Sequence, residues 1–167
     1  MATFSDIINP VQTVLVSCRG NAKLVGKSVS KDNLITVDWH TMVNINPFLY
    51  CISIGKTRFS YGLIKESGVF CVNFMSLSKE KEVLYCGRNS GNFNNKFAKT
   101  GLHKIECEKI DCCKVQEAVA VLECEVIETI DFADHTLFIG KVVHSGLKDK
   151  NAKRLFHLKN DDFTTTK

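Results

Sequence analysis

Six consecutive residues, Gly55-Lys56-Thr57-Arg58-Phe59-Ser60, bring two cations and two hydroxyls together. The stretch they belong to, SIGKTRFSYGLI, follows an apolar run from Pro47 to Ile54 and leads into a helix-like segment ending near Gly68. A helix N-terminus carries unsatisfied backbone N–H groups and the positive end of the dipole, which makes it an anion site. Lys56 and Arg58 add counter-charge, Thr57 and Ser60 add neutral donors, and Gly55 lets the backbone approach closely. A phosphate is the natural guest. The same residues also suit a plain strand-to-helix turn with solvated charges, and their types alone leave both readings open. Neither a Walker loop nor a G-x-G-x-x-G stands anywhere in the chain, so a nucleoside triphosphate or a Rossmann dinucleotide site has no support.

Upstream, NLITVDWHTMVNINPFLY contains the only tryptophan, Trp39, among polar neighbours Asp38, His40 and Thr41. A strand with Asn33, Thr36, Asp38, Trp39, His40 and Thr41 can present hydrogen-bonding groups and one aromatic plane to a flat, polar-edged ring. Simple alternation, with Trp39 in the core and its neighbours outward, explains the pattern equally well. Of the eight cysteines, Cys51, Cys71 and Cys124 lie in apolar runs and read as small buried hydrophobes. Cys107, Cys112 and Cys113 cluster, but no C-x-x-C pair and no zinc-finger histidine spacing accompanies them.

Strands must position these groups. VQTVLVSCRG reads as a strand turning at Arg19-Gly20, Asn33 to Val43 as a second, and NPFLYCISIG as a third, buried on both faces. FSYGLIKESG reads as a short helix closed by Gly68, VFCVNFM as a strand, SLSKEKEVLYCG as a helix ending at Gly87, and NNKFAKTGL as a helical turn closed by Gly101. AVAVLECEVIETI alternates, Leu122, Cys124 and Val126 on one face against Glu123 and Glu125 on the other; HTLFIGKVVHSG is a last long strand, and the tail NDDFTTTK reads as loosely ordered. About six long strands and two or three short helices, not interleaved, disfavour a doubly wound sheet and fit an antiparallel barrel with small helices on its rim.

The chain has 167 residues, 44% of them hydrophobic and 24% charged, which fits a single globular domain over 1–167. Scattered cations and a net charge of +4 give little support to nucleic-acid or membrane partners. No apolar stretch reaches transmembrane length, and MATFSDIINP lacks the pattern of a secretory signal, so the expected location is the cytoplasm, with its cysteines reduced.

The segment from Asn33 to Phe74, NLITVDWHTMVNINPFLYCISIGKTRFSYGLIKESGVFCVNF, resembles the flavin reductase-like, FMN-binding split-barrel family, close to flavoredoxins. SGNFNNKFAKTGL and AVAVLECEVIETIDFADHTLFIGKVV match as well, so the resemblance spans roughly 10–145, with a C-terminal extension after it. It implies a mainly β, Greek-key split barrel with a few short peripheral helices, forming a homodimer with FMN near the subunit interface. It implies that Asn33, Thr36, Asp38, Trp39, His40 and Thr41 line the isoalloxazine or ribityl chain. Lys56, Arg58 and Ser60 would hold the 5′-phosphate, and Lys96 and His135 would come close to the flavin. Asp38 departs from the Ala or Ser common at its position, and an anion there would disfavour a reduced, anionic flavin; His40 is also a departure. His103, His144 and His157 read as surface residues. The function implied is an oxidoreductase passing hydride or electrons between NAD(P)H or a partner donor and a flavin, a ferric complex or a redox protein. Rivals are a non-catalytic FMN-binding electron carrier, a metal or redox module built on Cys107, Cys112, Cys113 and Cys124, and a split barrel acting on pyridoxine phosphate or haem.

Overall fold

The computed structural model describes residues 4–24 and 27–166; residues 1–3 of the N-terminal stretch and Lys167 of the tail lie outside the described residues. In chain order the elements are α1 (Phe4–Ile8), β1 (Val11–Gln12), β2 (Val14–Leu24), β3 (Lys27–Val37), β4 (His40–Asn44), β5 (Leu49–Gly55), α2 (Phe59–Ser67) and β6 (Val69–Phe74). After a 3₁₀ turn at Leu77–Lys79 come α3 (Glu80–Arg88), α4 (Lys96–Thr100), β7 (Lys104–Glu106), β8 (Cys113–Val115), β9 (Ala120–Asp131), β10 (His135–Leu147), β11 (Phe156–Lys159) and β12 (Asp162–Thr164).

Seven strands form one sheet in the order β3-β2-β6-β9-β10-β5-β4, with every neighbouring pair antiparallel. The chain steps from β3 at one edge to β4 at the other through Asp38 and Trp39, and the Ser53 N–H donates to the Trp39 carbonyl at 2.9 Å. The two edges are therefore drawn together and the sheet curls into a split barrel. From β5 the chain crosses over β10 and β9 to reach β6, a Greek-key connection that carries α2 onto β2. Val14, Val16, Ile52, Ile54, Leu63, Ile64, Phe70 and Phe138 fill the interior. Burying each of the larger of these stabilises the fold by about 1.5–3 kcal/mol. A second cluster, with Leu15, Leu34, Met75, Val83 and Leu155, seats α3 against the outside of β2 and β3.

Five readings from the sequence need correction. The first strand does not turn at Arg19-Gly20: β2 runs on to Leu24, because Arg19 is held by Asp32 across the β2–β3 ladder and by Glu106 and Asp111 beyond it. The stretch from Asn33 to Val43 is two strands on opposite edges, broken at Asp38-Trp39. Glu123 is not on a wet face but fully buried, where its carboxylate accepts from the Glu108 and Lys109 N–H groups and pairs with Lys114 at 3.0 Å. The tail is not loose: β12 pairs with β11, which pairs with β1 in a three-stranded sheet. The helix expected to end at Gly87 runs one residue further, to Arg88.

Candidate functional site

The Gly55–Ser60 turn joins β5 to α2. Gly55 ends β5, Arg58 is the N-cap of α2, and Gly68 in the left-handed region (φ 71°) closes it. Arg58 supplies no side-chain cap, so the first turn of α2 offers its Phe59 and Ser60 N–H groups to a guest. Around this end lies a cleft of about 240 Å³ lined by Asn33, Thr36, Thr57, Arg58, Ser60 and Lys96, and on the far wall by the segment from Cys86 to Gly91. Its lining contains Arg58, Arg88 and Lys96 but no aspartate or glutamate. Arg88 is committed to Asp161. The Arg58 guanidinium is exposed and makes no hydrogen bond or ion pair with the described residues.

The floor is built from buried polar groups. Asn33 donates from Nδ2 to the Ser60 hydroxyl at 2.7 Å, and the Ser60 hydroxyl in turn serves the Cys18 sulfur. Lys96 is 4% exposed; its Nζ donates to the Leu34 and Cys86 carbonyls, each at 2.6 Å. Burial pulls the Lys96 pKa down, thiolate character at Cys86 and Cys18 would oppose that, and the Arg58 charge adds to it. The far wall approaches closely: a Cβ at Gly91 would lie 2.1 Å from Asn33 Oδ1, so a side chain there requires Asn33 to move, and one at Gly87 would lie 3.2 Å from Thr36 Cβ, a tight contact. The Thr36 hydroxyl fixes this wall by donating to the Val83 carbonyl at 2.6 Å.

A second region of about 290 Å³ continues from the first through Ile35, Thr36 and Arg58. Here Trp39 is 48% exposed, not a core residue, and its ring lies 4.8 Å from that of His135 at 39°. His135 starts β10 opposite Gly55, with Nδ1 3.0 Å from the Asp134 carboxylate. Asp38 borders the region, but its carboxylate is engaged on the other side, accepting from the Thr13 hydroxyl at 2.6 Å and lying 2.8 Å from His157 Nδ1. The anion expected beside the ring is thus tied to β11, and His157 is part of that tie, not a bystander on the surface.

The structure therefore brings Asn33, Thr36, Asp38, Trp39, Arg58, Ser60, Lys96 and His135 around one continuous cleft. Three expected residues stand apart. Lys56 turns its ammonium to the Phe132 carbonyl and to Asp131, 3.7 Å away, and lines neither region. His40 and Thr41 face a separate depression with Gln12, Tyr50 and Phe74. His40 is locked there: Nε2 donates to the Gln12 carbonyl at 2.9 Å, so Nδ1 accepts from the Tyr50 hydroxyl at 2.6 Å, and burial lowers its pKa. The bend at Asp38-Trp39 explains the separation, since residues before and after it belong to opposite edges of the sheet. The sequence reading missed the far wall, Arg88 to Gly91; its signal was the polar, glycine-bearing run RNSGN between two helices.

Among the described residues no group of three or more His, Cys, Asp or Glu is arranged to hold a metal ion. The donor set instead suits a phosphorylated flavin: an acid-free basic pocket at an uncapped helix end, joined to a region with an exposed aromatic plane.

A protein of Archaeoglobus fulgidus is 34% identical over 151 residues, covering 85% of each chain. The same organism's NAD(P)H ferric-chelate reductase is 30% identical over 112 residues, 62% of this chain and 61% of its own. The fold superimposes on the flavoredoxin of Desulfovibrio vulgaris (Miyazaki F) with a TM-score of 0.84 at 21% identity, covering 99% of this chain and 91% of the other. The flavin reductase like domain family matches residues 8–166, and the chain belongs to that family.

Proposed function

We propose that the protein binds FMN in this cleft and works as a flavin-dependent oxidoreductase. The observation that carries the reading is Arg58, which has no partner among the described residues, at an uncapped helix end in a pocket whose lining has cations and no acids. Such a pocket favours a dianionic monophosphate, and one compact phosphate site favours FMN over a dinucleotide flavin. When bound, FMN supplies two-electron and one-electron chemistry.

The chain's residues do the holding. Arg58, Thr57 and the first N–H groups of α2 would grip the phosphate. Lys96, fixed by two backbone carbonyls, keeps a positive charge beneath the cleft that favours an anionic guest. Trp39 and His135 would flank the ring, and Asn33 and Thr36 hold the walls at a fixed spacing. Asp38, drawn away by Thr13 and His157, contributes less negative charge than its position suggests. The relative named as a ferric-chelate reductase supports electron delivery from NAD(P)H to a ferric complex, with free flavin or a redox protein as the other acceptors of the same chemistry.

A homodimer fits the same reading. β4 is an edge strand, and Met42, Val43 and Ile45 on and beside it are 68%, 47% and 91% exposed. An apolar edge of this kind is suited to pairing with a second copy. All eight cysteines are free thiols, which suits the reducing cytoplasm, and no described helix is long and apolar enough to cross a membrane. The test is to denature the purified protein, identify the released flavin by chromatography, and follow reduction of the bound flavin by NADH and by NADPH. FMN and rapid reduction are expected; FAD, or a protein that retains and takes up no flavin, would overturn the assignment.

A further inference from the structure

Three thiols meet on the opposite side of β2 from the cleft. Cys71, Cys112 and Ile110 form a small buried cluster against which Cys107 packs. None of the three thiols lines the cleft. Cys107 is the one cysteine of the eight that is not fully buried. Cys107 and Cys112 flank the loop between β7 and β8, whose last register pair is Glu106 with Cys113. The Cys107 N–H donates to the Cys112 carbonyl at 2.9 Å, one position beyond that register pair, while the Cys112 N–H turns to the Ile110 carbonyl. Residues joined by such a bond at the end of a ladder have Cα atoms about 5.5 Å apart, within the roughly 4.4–6.8 Å that a disulfide spans, and the loop must turn the two side chains toward each other to bring the Cβ atoms to about 3.5–4.5 Å.

The loop between them is held in place. The Glu108 and Lys109 N–H groups donate to the buried Glu123 carboxylate, and the Cys112 N–H donates to the Ile110 carbonyl at 2.8 Å. The electrostatics divide the roles. The neighbouring Cys112 and Cys71 thiols pull the Cys107 pKa down, with Lys114 assisting, while burial and Glu123 oppose. The same contacts push Cys112 and Cys71 up. Cys71 lies within β6, paired on one side with Ser17 and on the other with Glu123, whereas Cys112 lies at the end of the β7–β8 loop that Cys107 opens.

We propose that Cys107 and Cys112 form a peroxide-reactive dithiol centre, separate from the flavin cleft, in which Cys107 attacks a hydroperoxide and Cys112 resolves the product. In the first step the Cys107 sulfur takes the terminal oxygen: an S–O bond forms, the O–O bond breaks, and the alcohol or water leaves after taking a proton. Cys107 is then a sulfenic acid. In the second step the Cys112 sulfur attacks Cys107, the S–S bond forms, the S–O bond breaks, and water leaves with the Cys112 proton. Two thiols lose two electrons and the hydroperoxide gains them. A dithiol reductant restores the pair.

The centre is tested on the flavin-containing protein, reduced, freed of reductant, kept without NAD(P)H and treated with hydrogen peroxide. Trypsin cuts at Lys104, Lys109 and Lys114, so Cys107 falls in one peptide and Cys112 with Cys113 in the next, and fragmentation of the linked pair must place the bond on Cys112 and not on Cys113. The expected result is a peptide pair joined through Cys107 and Cys112, reversed by dithiothreitol. In Cys112→Ser, dimedone should trap a sulfenic acid at Cys107. In Cys107→Ser, thiol loss should slow about tenfold, the gain expected of an ionised thiol over an ordinary one. A link from Cys107 to Cys71, first oxidation at another cysteine, or equal rates in wild type and Cys107→Ser would overturn the proposal. The mapping on the unmodified chain decides the matter even if a variant fails to fold.

Discussion

Replacing Arg58 by alanine separates phosphate binding from ring binding. The side chain is exposed, and no described residue pairs with it, so its removal should leave stability within about 0.5 kcal/mol of the parent. A charge-assisted hydrogen bond to a phosphate contributes roughly 1.5–3 kcal/mol, and solvent exposure places Arg58 at the lower end, about tenfold in affinity. Isothermal titration of flavin-free protein with FMN and with riboflavin reads this directly. FMN affinity should fall about tenfold and riboflavin, which has no phosphate, should be nearly unaffected. Lys56→Ala supplies the internal contrast. Because its ammonium is engaged with Asp131 and the Phe132 carbonyl, its loss should change FMN binding little. Trp39→Ala should weaken both ligands alike. Equal loss of FMN and riboflavin in Arg58→Ala would place the phosphate elsewhere and refute the reasoning.

Other outcomes follow from the same structure. Lys96→Met orphans the Leu34 and Cys86 carbonyls and should cost about 2 kcal/mol in urea unfolding, because buried acceptors left unpaired are expensive; an unchanged midpoint would contradict the buried placement. Burial pushes Cys18 and Cys124 up to about 12 and Cys86 to about 11, from an ordinary 9.0. Groups raised in the fold stabilise it fully below the unfolded value, so the urea midpoint should fall as pH rises from about 9 toward 11, outweighing the opposite contribution of the single Lys96; a rising midpoint would contradict this. Light scattering should give twice the chain mass, and Ile45→Lys together with Met42→Lys should return it toward a monomer; a monomeric parent would contradict the edge-strand interface.

The residues with the clearest local rules were the most legible. Gly68 and Gly101 both occupy the left-handed helix ends that their positions suggested, and the strand-to-helix turn at Gly55–Ser60 lies at the cleft. The resemblance to flavin reductase-like proteins agrees with the family match, and with it the split barrel. What stayed hidden was set by contacts distant in sequence. Whether Lys56 or Arg58 faces the cleft depends on Asp131 and Phe132, more than seventy residues away. The burial of Glu123 depends on a loop that precedes it and on Lys114, so alternation within β9 alone pointed it outward. The split between Trp39 and His40 arises because a two-residue bend carries the chain from one sheet edge to the other, which a continuous polar-apolar pattern cannot reveal. His157 escaped notice because its partner, Asp38, is 119 positions away.

Trp39 is the only tryptophan and borders the region assigned to the flavin ring, so its emission responds strongly to a flavin bound there. The decisive measurement is a fluorescence titration of the flavin-free protein with FMN. The account predicts saturable quenching that ends at one FMN per chain and requires less FMN than riboflavin. Unchanged Trp39 emission while FMN binds, or no binding of FMN, would contradict it.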